Sequence, residues 1–564
     1  MYRLYGNLAQ NKLRKRRNEK SNNLSISAFV TLLSIAPIGF ALYPSATPWS
    51  MYRYDATHSG ATPSDVPSSN NTLWARGFST YGLSQTTTPL IVDGRVIFAV
   101  RDLAVSVDET TGVELWRHQT PGVLTASSYA DGRVFFGLSE GTGGIICINA
   151  STGQEIWNQD ASPYFVNSSP LVHKGIVYAG ITDNNTRAFN ATTGHYEWGY
   201  KTDGPIYSSP AADGNILFFG SDDTKLYALD VSGAAPVSLW NFTANGAIRS
   251  TPAIKDSKVF FGSDNHTLYA MNEMTGELIW SWATTSVNVK LRNGVAIANN
   301  KVYLTSTDAP KVYALNADIA PGNYTETNFD IRYWTNDLSI SGFSGSISGL
   351  NEPIYAGGKI VVTSTGGDPA MLFALDADVG NVLWDRGSKW WPAFGNAVVA
   401  DGHVWFNAYW WDPGSFTLYC IGDLFPPTTY LYTVGAGGSS FDVALETNST
   451  ITTFNTANLE TNRTIGFNVA GIGTIGMCNI TLPDDMLSGP FNVTVDGEQP
   501  FYLAPTTSNG THTSLYFTYN GTIPHTVEIT GTNVIPELPT IAILPMLIAT
   551  LSIALVQLKR KRNK

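Results

Sequence analysis

At 564 residues the chain is longer than one ordinary domain. Charged residues make up only 14%, aromatics reach 12% and there are 52 glycines, a balance that suits strands and turns better than helices. The net charge of −11 argues against a nucleic-acid partner, which needs clustered Lys and Arg on the body of the protein.

The basic residues Lys12, Arg14, Lys15, Arg16, Arg17 and Lys20 precede an apolar run, Ile26 to Tyr43, and then small residues through Ala46. Basic, apolar, small is the order of a secretory signal, so residues 1–46 are expected to be a signal peptide or an uncleaved signal anchor. A segment from Pro48 to Gly60 follows, containing Trp49, Tyr52, Arg53 and His58. Next comes a lone strand-like piece, Thr72 to Phe78, with Trp74 in it and no hairpin partner nearby.

From Thr88 the chain repeats about every forty residues, most clearly in the two successive copies between Ser208 and Trp280. Eight apolar runs align: Val96–Val100, Val134–Leu138, Ile176–Gly180, Ile216–Gly220, Val259–Ser263, Val302–Ser306, Ile360–Ser364 and Val404–Ala408. Pairs such as Asp93-Gly94, Asp131-Gly132, Asp213-Gly214, Asn299-Asn300 and Asp401-Gly402 precede them. Such pairs tolerate the positive φ angles of a two-residue hairpin turn; Asp256-Ser257 is the weakest of the set. Every third strand carries a small residue in one register: Ser106, Cys147, Ala188, Ala228, Ala270, Ala314, Ala374 and Cys420. Two residues on, an Asx opens a turn in all but the last unit. A Trp closes each fourth strand: Trp116, Trp157, Trp198, Trp240, Trp280, Trp334 and Trp384. The eighth unit has no such Trp and stops at Gly422, so Trp74 is expected to fill its place. Residues 71–80 should then pair with the third strand of that unit, around Phe416–Ile421, and close the ring without a free edge.

The Asx-x-x-Thr-Gly-x-x-x-Trp pattern, at fixed spacing from Pro48 to Gly422, resembles the PQQ-like repeat family. That family includes the propellers of quinoprotein dehydrogenases and of bacterial outer-membrane assembly lipoproteins. The resemblance implies an all-β, eight-bladed β-propeller over residues 48–422. Residues 423–427, with Phe-Pro-Pro, read as a linker, and the alternating strands of 428–532 as a β-sandwich-like domain. Residues 540–558 form an apolar run long enough to cross a bilayer as a transmembrane helix, and 559–564 a basic cytoplasmic tail. The sandwich and its anchor are similar to the stalk of archaeal surface proteins. The body is therefore expected on the outer side of a cell membrane, with dense sequons, Asn241 and Asn265 among them, marking a glycoprotein.

The resemblance also brings a redox reading. Quinoprotein dehydrogenases carry a quinone on the propeller axis, a calcium ion and, typically, a disulfide between adjacent cysteines. This chain has three cysteines, Cys147, Cys420 and Cys478, none adjacent, and they read as buried small residues. The histidines include no close pair, and Asp222-Asp223 and Asp264-Asn265-His266 suit turns as well as they suit calcium. No catalytic, cofactor-binding or metal residues are assigned, with PQQ and calcium left as the minority case. Candidate ligand-binding residues are Trp390 and Trp391, Trp410 and Trp411, with Arg249 and Arg292 at matching positions of blades five and six. All should meet at the mouth of the axial funnel, on the face opposite the two-residue turns, where aromatic faces and cations suit a glycan or a small anion. The expected function is that of a non-catalytic binding or scaffolding protein at the cell surface. The alternatives are a PQQ-dependent dehydrogenase-like enzyme and an envelope-assembly factor with a protein partner.

Overall fold

Turn chemistry sets the blades. Asp256 and Ser257 both have positive φ, as do Asn299 and Asn300, so the weakest of the predicted turns forms like the others. In this computed structural model, residues 48–534 are described except for 80–85, 142, 162, 286–288, 328–331, 339–346, 348, 367–369, 389–394, 410–414, 424–427, 437–438, 471–474, 522 and 532. The expected signal (1–46) and membrane run (540–558) lie outside the described residues. Among the described residues no helix is long and apolar enough to cross a membrane.

Eight antiparallel sheets make the propeller. In chain order the blades are Leu90–Gln119, Leu124–Gln159, Leu171–Lys201, Ala211–Thr243, Ala253–Ala283, Ala296–Asp337, Ile354–Ser388 and Val398–Ile421. The eighth takes its outermost strand, Thr72–Ser79, from the other end of the repeat region, with Thr72 opposite Ile421 and Ser79 opposite Ser415. The ring closes as the missing Trp implied. Blade five gains a fifth strand, Gly322–Thr325, which runs parallel to Leu278–Ala283 and comes from an insertion in blade six.

The small-residue register has a physical reason that the sequence left general. In every blade that residue stands directly across from the fourth-strand Trp: Ser106 from Trp116, Ala270 from Trp280, Cys420 from Trp74. The indole then reaches the next blade. Trp116 Nε1 donates to the Ala150 carbonyl at 2.8 Å, Trp280 to Ala317 at 3.2 Å, and Trp74 to Glu109 at 3.0 Å. Five of the rings, Trp74, Trp116, Trp157, Trp240 and Trp334, also cover the turn glycine of the next blade. A Cβ at Gly153 would come within 2.7 Å of Trp116, and Gly153 has φ +73°. Blade eight has no turn of its own here, and the Pro67 carbonyl accepts from Trp384 instead, at 2.9 Å.

The segment before the closing strand lines the inside of the ring. Trp49 pairs with Ile91 in blade one, and the carbonyls of Ala56, Thr57, Ser59 and Gly60 accept from Ala212, Ile254, Ile297 and Tyr355 in blades four to seven. Those acceptors satisfy inner-strand amides that would otherwise face the axis unpaired. The second body is a sandwich. One sheet is built on Thr428–Ala436, Ser439–Thr447, Ile475–Pro483 and His512–Asn520, and the other on Ile451–Asn455, Thr464–Val469, His525–Thr530 and Asn492–Val495. It seats against blade eight: Thr518 donates to the Leu73 carbonyl, and Ile475 joins the apolar cluster around Trp74.

Candidate functional site

A cavity of about 340 Å³ lies on the axis, on the face opposite the two-residue turns. All eight blades contribute to it, among others through Thr88, Thr125, Ser169, Ser209, Thr251, Arg292, Glu352 and Asn396. The repeat explains this placement. The Ser-Ser-Pro or Ser-Thr-Pro that opens blades three and five turns its first residue, Ser168 or Ser250, back into its own blade, where the Gly180 or Gly262 amide donates to it at 2.9 Å. Ser208 of blade four donates instead to the Ser250 carbonyl of blade five, at 2.8 Å. The residue after it, Ser169, Ser209 or Thr251, lines the cavity. In blade seven the same motif reads Asn351-Glu352-Pro353, so a carboxylate stands where blades three to five have a hydroxyl. That substitution was the signal for Glu352, and sequence reasoning passed over it.

Two cations sit on the rim. Arg249 and Arg292 line the cavity at matching positions, and each is held by a two-point bond to an aspartate. Arg249 donates to Asp222 at 2.8 and 2.7 Å, and Arg292 to Asp264 at 2.8 and 2.7 Å. Burial acts to raise the Asp264 carboxyl, but Arg292, with Arg249 and Lys290 nearby, outweighs it and holds the group below the ordinary carboxylate value. These pairs occupy Asp222 and Asp264, which the sequence offered as calcium ligands. The Arg249 guanidinium also lies 4.9 Å from the centre of the Tyr207 ring, which fixes it over an aromatic face. Trp390, Trp391, Trp410 and Trp411 lie outside the described residues, so of the six predicted residues the structure brings together Arg249 and Arg292.

The inner segment supplies part of the wall. Arg53, 3% exposed, pairs with Glu352 at 3.1 Å and donates to the Val295 carbonyl, while the Gly294 amide donates to the other Glu352 oxygen at 2.9 Å. Tyr52 hydrogen-bonds Glu352; burial first, then the Glu352 charge, pushes its phenol well above the ordinary value. His58 is buried, and burial together with Arg53 depresses it to about 3, so it is neutral at pH 7. Arg53, Tyr54 and His58 all have positive φ, at 59°, 81° and 52°. Three non-glycine residues in that region within one short segment store backbone strain, which accumulates where side chains must be aimed. The three thiols are free and buried, and burial raises Cys147 and Cys478 to about 12.

Among known families, residues 100–235 and 203–319 match the model described as outer membrane protein assembly factor BamB. A quinone-dependent alcohol dehydrogenase subunit from Gluconacetobacter polyoxogenes is 29% identical over 161 residues, covering 23% of this chain and 21% of the relative. Quinohemoprotein alcohol dehydrogenase ADH IIB from Pseudomonas putida is 30% identical over 138 residues, 20% of each protein. The chain thus spans about a fifth of the length of the curated relatives it matches. Among solved structures, a europium-containing methanol dehydrogenase superposes with a TM-score of 0.51 at 13% identity, covering 68% of this chain and 99% of that one. A quinohemoprotein alcohol dehydrogenase from Pseudomonas putida HK5 gives 0.52 at 13% identity, covering 69% and 82%. At that identity the likeness is one of fold. The chain is an all-β propeller with the fold of these solved quinoprotein dehydrogenases, and residues 100–319 carry repeats like those of the BamB model. These findings correct the expectation of a non-catalytic binding or scaffolding protein, because the sequence relatives are named as quinone-dependent dehydrogenases.

Proposed function

We propose that the protein is a quinoprotein-type oxidoreductase that holds an anionic quinone in the axial cavity and oxidises a small alcohol. The observation that carries this reading is the rim itself: eight blades converge polar side chains on one cavity of about 340 Å³, with two rigid guanidinium groups on one side of it. PQQ is a flat tricarboxylate, and its acid groups call for fixed cations and hydroxyl donors. Arg249 and Arg292 would hold carboxylates, with Ser169, Ser209 and Thr251 as neutral donors beside them. The bound quinone would supply a two-electron acceptor.

The residues fit the organic anion better than a metal. Glu352 has its oxygens committed to Arg53 and the Gly294 amide, and among the described residues no three of His, Cys, Asp and Glu gather as a ligand set. No step is therefore assigned to calcium. Glu352, aligned by Arg53 and the Gly294 amide, would use a remaining lone pair to accept a hydrogen bond from a substrate hydroxyl inside the cavity and so orient it.

Reconstitution of the full chain with PQQ tests the reading. Saturable binding with a quinone absorbance band and dye-linked alcohol oxidation is expected, with binding weakened at least tenfold in Arg249→Gln and in Arg292→Gln. A protein that binds no quinone, with or without added calcium, defeats it. Recovery of a stable envelope-protein partner in that case would move the reading to the assembly function named in the matching family model.

A further inference from the structure

The turn face of the propeller carries a second set of cations. The first residue of the second strand is Lys258 in blade five and Lys301 in blade six, placed opposite Asn272 and Asn316 of their third strands. Each reaches the next blade and pairs with the residue two beyond that blade's Asx. Lys258 meets Asp318 at 2.6 Å and Lys301 meets Asp378 at 2.6 Å. Both aspartates are presented the same way, their amides donating to Asn316 and Asp376. The position two beyond the Asx is thus a built carboxylate seat, used twice.

Blade one has Arg95 in that register, opposite Asp108, and the residue two beyond the Asx of blade two is Ser151. The carboxylate is missing from the seat. In its place is a cavity of about 270 Å³ lined by Arg95, Arg133, Asn149, Ser151 and Ile156, with Asp93 and Asp131 at its edge. Arg95 gives one Nη1 bond to the Asp93 carbonyl at 2.9 Å, and its Nε is buried without an acceptor. Arg133 gives one Nη1 bond to the Asp131 carbonyl at 3.5 Å. Among the described residues neither guanidinium forms an ion pair. The Asp93 carboxylate takes the Tyr129 hydroxyl rather than an arginine. The Ser151 hydroxyl turns back to Asn149 at 2.8 Å.

We propose that this cavity binds a small oxyanion, a phosphate or carboxylate group of a soluble ligand, which takes the place between Arg95 and Ser151 that Asp318 and Asp378 take in blades six and seven. A fork of guanidinium N–H groups suits such oxygens, and a buried N–H without an acceptor is costly until one arrives. The site is on the turn face and independent of the axial cavity, so it stands whether or not a quinone binds there.

The test is titration of the full chain, made in a host that does not glycosylate, with inorganic phosphate and separately with acetate, read by calorimetry and by the shift in Tm. Saturable binding of at least one anion is expected, weakened at least tenfold in Arg95→Gln. Ser151→Asp installs the missing carboxylate, so it should abolish anion binding while keeping or raising Tm, and it keeps the test decisive if Arg95→Gln does not fold. Stronger response to phosphate than to acetate would assign the ligand a phosphate group, and the reverse a carboxylate. Three results overturn the proposal: no saturable binding, binding that survives Ser151→Asp, or binding lost in Arg249→Gln and untouched in Arg95→Gln. Stabilisation by a divalent cation in place of anions, through Asp93 and Asp131, overturns it as well.

Discussion

Blade five and blade eight reach the same arrangement by different routes. The first four strands of blade five are one continuous stretch, Ala253–Ala283, whose turns carry it from strand to strand. Blade eight joins Val398–Ile421 to Thr72–Ser79, and the two pieces are separated by most of the propeller. In both, a Trp stands over a small residue, Trp280 over Ala270 and Trp74 over Cys420. The logarithmic loop law puts the extra closure cost for blade eight at roughly 3–4 kcal/mol, because its two pieces are hundreds of residues apart rather than a hairpin apart. The molecule offsets this with contacts that blade five does not need. Asp423 accepts from the amides and hydroxyls of Ser68 and Ser69 at 2.8–3.0 Å, Pro67 receives Trp384, and the sandwich bonds Leu73 through Thr518. Regular blades are held by local chemistry, and the last one by latches from three parts of the chain.

Removing the closing strand breaks the comparison most directly. Deleting residues 72–79 should expose the edge of Ser415–Ile421 and give aggregation or a Tm lower by well over ten degrees, read by scanning calorimetry. A truncated protein that melts like the parent would show that the ring holds without the strand. Next in size, Trp74→Ala should cost about 3–5 kcal/mol in denaturant unfolding, since Trp74 is 1% exposed in a packed cluster. Trp240→Ala in blade four, whose ring is only partly covered, should cost less. Equal losses would mean that burial of the indole does not separate the blades.

The third prediction uses pH. Burial first, then the neighbouring Asp401 and Asp108, raises the Glu109 carboxyl from 4.5 to about 7 at the seam between blades eight and one. A carboxyl raised on folding contributes stability that is fully present below about pH 4.5 and is lost as pH rises through about 7. Stability should therefore fall across that window in the parent, and Glu109→Gln should flatten the fall in a urea series taken at pH 5, 6 and 7. A parallel fall in both proteins would assign the pH dependence elsewhere. The smallest effect is expected from Thr518→Val, about 1 kcal/mol, because it removes one buried hydrogen bond and keeps the shape. A change of Tm below half a degree would mean that the sandwich does not contribute to closure through this bond.

Two residues of the candidate cavity were legible in the sequence. Arg249 and Arg292 could be placed on one rim because they share a position in repeats that differ little in sequence. Glu352 was equally readable in principle, since Asn-Glu-Pro stands where other blades read Ser-Ser-Pro or Ser-Thr-Pro. Tyr52 and Arg53 were not, because no periodicity governs the segment 48–64, and its path follows from which inner-strand amides lack partners. The pairing of each arginine with an aspartate of the preceding blade was also hidden, as the partners are 27 and 28 residues apart and belong to different repeats.

The sequence by itself determined the number of blades, the turns, the Trp register and the swap that closes the ring, because each depends on interactions within one repeat or on the absence of one strand from the count. Tertiary structure alone decided what each register is used for. The small third-strand residue proves to face an indole, the residue before the proline proves to line the axis, and the seat two beyond the Asx proves to be a carboxylate site in two blades and an unfilled cavity in another. Those roles depend on contacts between neighbouring blades and across the axis, and a repeat read alone contains only one side of each.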